Sequence, residues 1–193
     1  ENGEDCRGDL FTGLRQTPLQ LVIDVSIFGF DLDAYEVKLH ELKDEVDLFF
    51  LIEMPWTHKG LPKPLFWQRN KDKKRFVAFK TKVVHVIVDH LPADLPVKSK
   101  TSPEATWGYE HCQEKQGMRQ VHEILQGILS DAGVAANQTI MTFGDADEIP
   151  LSGNVRLMRA CMPRELPIDN GVWMPMGLFT RAFKTDWPVN KDL

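Results

Sequence analysis

Four short apolar runs, each ending on or soon followed by an acidic residue, constrain the fold of this chain more than any other feature. They are rich in Val, Ile, Leu and Phe and cover residues 21–28, 46–53, 82–89 and 139–143. Continuous apolar runs of about 4 to 8 residues are typical of strands buried on both faces of a parallel sheet. Helical patterns separate the first run from the second and the third from the fourth, so the sequence predicts an α/β fold with a mixed, mostly parallel sheet and helices on both faces.

Two amphipathic helices are predicted between the strands. The first begins at Ala34 with Asp33 as its N-cap, because an aspartate side chain accepts hydrogen bonds from the free N–H groups of a helix start. The second runs from about Tyr109 to Ala132, and Gly133 ends it. Residues 55–74, which contain three prolines and a glycine, are predicted as one long loop.

Length and composition favour one globular domain over residues 21–193. The chain has 193 residues with 42% hydrophobic content, which suffices for a core, whereas residues 1–20 are polar with scattered glycines and indicate a stem or linker. A net charge of −5 excludes a general nucleic-acid binder. No apolar run approaches the roughly 20 residues that span a bilayer, so a membrane contact would need an anchor outside this sequence. The three cysteines, Cys6, Cys112 and Cys161, permit one disulfide and imply none.

Three carboxylates follow the last apolar run directly. Asp145, Asp147 and Glu148 stand between that run and Pro150, which stops regular structure. Clustered carboxylates repel one another, and a hard divalent ion such as Mn²⁺ or Mg²⁺ relieves the repulsion while its remaining positions take phosphate oxygens and water. In open α/β sheets ligands bind at the carboxyl ends of the strands, where this cluster is predicted to lie. A solvated acidic loop is the alternative for such a motif on its own.

Four blocks of sequence resemble the glycosyltransferases of family 17 and occur in the same order as in that family. The last block is Gly144-Asp145-Ala146-Asp147-Glu148-Ile149-Pro150, similar to the family's Asp-x-Asp-Glu-Ile-Pro signature. Lys38 stands where the family usually has arginine, and Gly144 where serine is common. The similarity fades beyond Pro150, so a fragment and a reduced relative both remain open. The other blocks are residues 24–49, 51–65 and 82–92.

The resemblance implies a GT-A-like nucleotide-sugar-binding fold. It also implies metal-assisted transfer of N-acetylglucosamine from UDP-N-acetylglucosamine to a mannose of an N-glycan, with inversion at the sugar. Asp147 is then the first choice as a metal ligand and Asp145 a metal or ribose contact. Glu148 either supports these ligands or caps the element after Pro150. Lys63 opens a basic run that is typical of a solvated loop, and its alternative role is to contact the donor phosphates or an acidic acceptor.

Other acidic residues are candidates for the remaining roles. Glu53 and Asp24 lie at or within strands near the expected nucleotide pocket, where contact with uridine or ribose competes with capping of a backbone turn. Inversion needs a carboxylate that takes the proton of the acceptor hydroxyl. Asp169 and Asp186 lie in the part of the chain where GT-A enzymes tend to supply that base, although each also fits an ordinary loop acid. His58 and His85 are interpreted as structural.

The resemblance also carries expectations about partners and compartment. The partners are a nucleotide sugar and a glycan or glycoprotein acceptor, and the expected location is the Golgi lumen as a longer type II membrane protein, with a cytoplasmic enzyme as the alternative. Asn137 begins a glycosylation sequon between the long helix and the acidic strand. A catalytically inactive relative that binds a nucleotide sugar or a glycan is the alternative function.

Overall fold

The structure is a computed structural model that describes residues 6, 10–91, 103–164, 168–170 and 180–184, with side chains for residues 6, 10–91 and 108–164. Its strands are β1 (Phe11–Leu14), β2 (Leu21–Phe28), β3 (Leu48–Glu53), β4 (Val83–Ile87), β5 (Thr139–Asp145), β6 (Cys161–Pro163), β7 (Ile168–Asn170) and β8 (Thr180–Lys184). Its α-helices are α1 (Leu32–Leu42), α2 (Phe66–Asn70), α3 (Pro103–Ala132) and α4 (Ser152–Ala160).

The main sheet confirms the predicted mixed, mostly parallel topology. Within the described residues it has six strands in the order β4-β3-β2-β5-β8-β7. The four strands β4, β3, β2 and β5 are mutually parallel, while β8 runs antiparallel to β5 and β7 antiparallel to β8. The carboxyl ends of the parallel strands therefore share one edge, which contains Glu53 and Asp145 as the last residues of β3 and β5.

Helices cover both faces of this sheet, as the continuous apolar strands predict. On one face α1 and α4 pack over a core that includes Phe28, Tyr35 and Met158. On the other face the stripe of α3 that contains Val121 and Leu125 packs over a second core. Because successive residues of a strand point to opposite faces, β2 supplies alternate side chains to the two cores. This arrangement leaves the carboxyl edge of the sheet as the place for a site.

The ends of α1 and α3 differ in part from the predictions. Helix α1 begins at Leu32 and not at Ala34, because the side chain of Asp31 accepts hydrogen bonds from the N–H groups of Asp33 and Ala34. Asp33 is therefore not the N-cap. Helix α3 starts at Pro103, six residues before the predicted start, and ends as expected before Gly133, whose φ of 65° lies in the left-handed region.

The segment 55–74, predicted to be a loop throughout, contains helix α2. The start of α2 is stabilised by the end of β3, because the N–H of Trp67 donates a hydrogen bond of 3.2 Å to Oε1 of the buried Glu53. The tip of the loop before α2 is a tight turn at Gly60, with a φ of 74°. A side chain at that position would collide with the ring of Tyr109 on α3, so the loop lies directly against that helix.

Part of the predicted stem is integrated into the domain. Strand β1, which falls within residues 1–20, pairs antiparallel with β6 in a two-stranded sheet. A disulfide joins Cys6 to Cys161 beside it, across 155 residues of sequence. Strands of four and three residues and a single pair among three cysteines leave no clear signal in the sequence. No helix within the described ranges is long and apolar enough to cross a membrane.

Candidate active site

The three acids of the sequence motif form a tight turn at the carboxyl end of β5. The N–H of Ala146 donates to the carbonyl of Ile27, which joins the turn to the neighbouring strand β2 at 2.9 Å. The N–H of Glu148 donates to the carbonyl of Asp145 at 3.0 Å and closes the turn. Asp145 and Asp147 are exposed and Glu148 is half-buried. The turn therefore presents two aspartates to solvent at the edge where the sequence placed them.

Glu148 folds back onto the turn and does not cap the next helix. Its Oε2 accepts a hydrogen bond of 2.9 Å from the N–H of Asp145. Gly144 makes this possible, because a Cβ there would collide with the Glu148 carboxylate. The start of α4, which Glu148 was a candidate to cap, is served instead by Glu41, whose Oε1 accepts from the N–H of Ser152 at 2.9 Å.

The electrostatics of the turn are those of an anionic cluster in need of positive charge. The pKa of Asp145 is raised from 3.8 to about 6. The first cause is partial desolvation of its carboxyl, although the residue as a whole is exposed. The charges of Glu148, Asp147 and Glu110 add to the rise, while His58 acts in the opposite direction. A carboxyl with such a pKa gains strongly from a nearby cation, because the cation removes the repulsion that raises it.

Glu110 and His58 were not identified from the sequence as parts of this site. Nδ1 of His58, in the loop before α2, lies 3.3 Å from Oε2 of Glu110 on α3, although the pair lacks hydrogen-bond geometry. The contact between Gly60 and Tyr109 brings the two segments together. No local pattern predicts this pairing, since 52 residues separate His58 from Glu110 and only the packing of the loop on α3 makes them neighbours.

Glu53 shows the capping role that was one of its two sequence interpretations. Its carboxylate is fully buried, with Oε1 on the N–H of Trp67 and Oε2 2.9 Å from Nε2 of His85. Nδ1 of His85 lies 3.2 Å from Oε1 of Gln68, so the imidazole links the end of β3 to helix α2. Both carboxylate oxygens are occupied, and Glu53 supports the loop above it.

Asp24 is also fully buried, in the middle of β2. Its Oδ1 accepts from Ser26 Oγ at 2.8 Å, and its Oδ2 accepts from Thr142 Oγ1 at 2.7 Å. Nζ of Lys38 lies 3.3 Å from Oδ1. These partners enclose the carboxylate below the acidic turn, where it binds neighbouring protein groups.

Lys63 has the chemistry expected of an anion contact. Its Nζ is buried, and none of the described residues accepts a hydrogen bond from it. Burial lowers the pKa of the ammonium and the charge of Glu53 opposes that effect. Nζ lies over the ring of Phe66, 5.7 Å from its centroid. An ammonium without an acceptor favours the arrival of an anion.

The two candidates for the catalytic base are described only in part. Asp169 lies in β7 opposite Arg181 of β8, and Arg181 in turn lies opposite Phe143 of β5. Its backbone is therefore two strands, roughly 10 Å, from β5 at the level of Phe143. Its side chain and the whole of Asp186 lie outside the described residues.

The donor atoms of the turn fit a hard divalent cation. Two exposed aspartates one residue apart supply carboxylate oxygens, and Mg²⁺ is usually held by one or two carboxylates together with phosphate oxygens and water. Among the residues with described positions, no group of three or more His, Cys, Asp or Glu side chains is arranged to hold a metal by itself. The turn therefore fits a metal site in which the aspartates supply some of the ligands and a bound phosphate supplies others.

An open, mostly parallel α/β sheet with acidic residues at its carboxyl edge places a ligand site at that edge, and comparison with known proteins identifies the family of the chain. The family model described as glycosyltransferase family 17 matches residues 6–174. The chain therefore belongs to glycosyltransferase family 17. No solved structure was found to match it.

Three curated relatives, each from a different mammal, share the same name. The chain is similar to beta-1,4-mannosyl-glycoprotein 4-beta-N-acetylglucosaminyltransferase of Rattus norvegicus, with 32% identity over 78 residues, and to the human and Mus musculus proteins of the same name, with 31% identity over 78 residues. Each match covers 40% of this chain and 14% of the relative. The chain thus matches only a small part of each relative's length.

Proposed function

We propose that the protein is an inverting transferase that moves N-acetylglucosamine from UDP-N-acetylglucosamine to a mannose of an N-glycan, assisted by Mn²⁺ or Mg²⁺. The observation that carries the proposal is the turn at the end of β5, where Asp145 and Asp147 are exposed side by side and the pKa of Asp145 is raised to about 6. The names of the curated relatives support the sugar and the mannosyl acceptor.

Each acidic residue of the turn has a separate role in binding the donor. Asp147 is the first metal ligand and Asp145 the second, or the contact to the ribose. Glu148 holds the N–H of Asp145 and so fixes the start of the turn. When bound, the divalent cation supplies the positive charge that stabilises the diphosphate as it leaves the sugar.

Lys63 is proposed to contact the donor phosphates. Its ammonium already lies in a loop at the carboxyl edge of the sheet and lacks an acceptor among the described residues. A phosphate oxygen would supply that acceptor as a charge-assisted hydrogen bond. Since Nζ is buried in the free protein, the loop has to shift for the contact to form.

Three carboxylates are proposed as alternatives for the base that takes the acceptor proton. Asp169 and Asp186 come from the sequence, and Glu110 joins them because its charge acts on Asp145 and its Oε2 accepts no hydrogen bond from the described residues. The base has to lie on the side of the sugar opposite the departing diphosphate. Replacing each residue by its amide and measuring transfer against donor hydrolysis separates the three.

The expected compartment is the Golgi lumen, with a membrane anchor in a longer type II protein. The disulfide between Cys6 and Cys161 supports an oxidising compartment, since such bonds are rare in the cytosol. Asn137 of the sequon is exposed in the 3₁₀ turn at Ala136–Gln138 and is accessible to glycosylation. Protein from a secretory host should lose mass on glycosidase treatment. A mass without a shift, together with a full-length gene that encodes neither signal nor anchor, would leave the cytoplasmic alternative.

The test of the proposed function is transfer measured with UDP-N-acetylglucosamine and a mannose-terminated N-glycan, with Mn²⁺ or with chelator. Asp147→Asn should lose transfer, whereas Asp44→Asn, an exposed aspartate outside the turn, should retain it. The product should contain a β-linked sugar. UDP and Mn²⁺ binding without UDP release or transfer would support the alternative, a catalytically inactive nucleotide-sugar-binding relative.

A further inference from the structure

A buried lysine lies directly beneath the acidic turn. Lys38 of α1 is fully buried, and its Nζ donates to Ser26 Oγ at 2.7 Å and lies 3.3 Å from Asp24 Oδ1. The same Nζ donates to the main-chain carbonyl of Asp145 at 3.2 Å. One ammonium therefore joins helix α1, strand β2 and the first residue of the turn.

The carbonyl of Asp145 accepts two hydrogen bonds, one from the turn itself and one from Lys38. The N–H of Glu148 closes the turn at 3.0 Å, and Lys38 ties the same oxygen to the centre of the sheet. A carbonyl oxygen has two lone pairs, so both are occupied. Lys38 at the carbonyl of the peptide that follows Asp145, together with the hydrogen bond from the N–H of that peptide (that of Ala146) to the Ile27 carbonyl, sets the orientation of the peptide relative to β2. The directions of the Asp145 and Asp147 side chains follow from that orientation.

The lysine is itself held by a network with little freedom. Asp24, its counter-charge, accepts from Ser26 and Thr142, and each of these residues belongs to a central parallel strand. A buried ion pair is often no more stabilising than apolar residues of the same volume, so stability alone does not explain its presence. The hydrogen bond from Lys38 to the turn provides a functional reason for the buried pair.

We propose that Lys38 is a positioning residue for the cation and diphosphate site, acting through the main-chain carbonyl of Asp145. This inference rests on the proposed function for its ligand and on the three contacts of Nζ for its geometry. Lys38 touches neither metal nor substrate. Its role is to keep the two aspartates at the spacing that a divalent ion requires, as partners behind metal ligands do in other sites.

The variants are chosen to separate positioning from stability. Lys38→Met alone leaves Asp24 buried without a counter-charge and is expected to destabilise the fold. The double variant Lys38→Met/Asp24→Asn removes both charges and keeps similar volumes, so its melting temperature should be close to that of the wild type. Lys38→Arg retains the cation, and Ser26→Ala provides a milder loosening in case the double variant does not fold.

The first readout is the binding of Mn²⁺ alone, measured from the electron paramagnetic resonance signal of the free ion. The double variant should bind Mn²⁺ about 10-fold more weakly than the wild type, the lower end of the range for loss of a residue behind a metal ligand. Ser26→Ala should show a smaller loss, and Lys38→Arg should retain most of the affinity. Wild-type affinity in the double variant would overturn the proposal.

The second readout does not depend on the metal. Amide hydrogen exchange of the Glu148 N–H, whose acceptor is the Asp145 carbonyl, should become about 10-fold faster in the double variant. The Val88 N–H, which donates to the Glu53 carbonyl at another strand end, should not change. If the wild type binds no Mn²⁺, the proposed cation site fails, and this exchange rate alone decides the role of Lys38. Unchanged exchange at Glu148 would refute it.

Discussion

Replacing Asp145 by asparagine should stabilise the protein without a cation, although it damages the proposed site. The folded-state pKa of Asp145 is raised from 3.8 to about 6, so its ionised form is disfavoured by folding. The favourable contribution of this group is present below about pH 4 and is lost as the pH rises through about 6. At pH 8 the wild type therefore carries an electrostatic penalty that Asp145→Asn, which keeps the shape and removes the charge, does not.

The size of the penalty follows from the rise in pKa. A rise from 3.8 to about 6 corresponds to about 3 kcal/mol, at about 1.36 kcal/mol for each pKa unit. Asp145 is exposed, and solvent screening reduces that figure to about 1 kcal/mol. Asp145→Asn should then raise the free energy of unfolding by about 1 kcal/mol at pH 8 in chelator, and by close to zero at pH 4.

The assay is urea unfolding at pH 4, 6 and 8, with Asp44→Asn as the control for loss of one exposed aspartate. At pH 8, saturating Mn²⁺ should make the wild type more stable than Asp145→Asn. A ligand at 100 times its Kd stabilises the native state by about 2.7 kcal/mol, and the variant should gain much less. Equal or lower stability of Asp145→Asn in chelator at pH 8 would refute the electrostatic reasoning.

Three further perturbations test other parts of the structure. Gly117→Ala places a methyl group against Ile52 where α3 crosses β3, and should lower the unfolding free energy by about 1–3 kcal/mol in urea titration; no change would contradict this close packing. Cys6→Ser removes the disulfide with Cys161 and should cost about 2–4 kcal/mol, with no further effect of reductant on the variant. Limited proteolysis should cut residues 55–74 in the free protein and slow with UDP and Mn²⁺, whereas unchanged cleavage would make the segment a plain connector.

The parts of the fold that the sequence predicted are those encoded locally. Continuous apolar runs identified the parallel strands, and the stripe of Val121 and Leu125 identified α3. Asp145 was placed at the carboxyl edge because it directly follows a strand. Boundaries were less secure where two signals compete, as at the start of α1, where Asp31 and Asp33 are both good caps and the geometry selects Asp31.

The parts that were missed depend on pairs distant in sequence. Lys38 lies 107 residues from Asp145, and a lysine within an amphipathic helix is ordinarily a surface residue. Cys6 pairs with Cys161 only because β1 lies beside β6. Glu110 has no motif around it and becomes interesting through its effect on Asp145. Such features follow from the packing of helices and loops on the sheet, and local patterns do not specify that packing.

The central claim is that the turn at Asp145 and Asp147 binds a nucleotide diphosphate through a divalent cation. Isothermal titration calorimetry of UDP into the protein, with Mn²⁺ and with excess chelator, tests it most directly. The account predicts clear binding with Mn²⁺, little binding with chelator, and loss of the difference in Asp147→Asn with Asp44→Asn unaffected. Equal UDP affinity with and without the cation would contradict it.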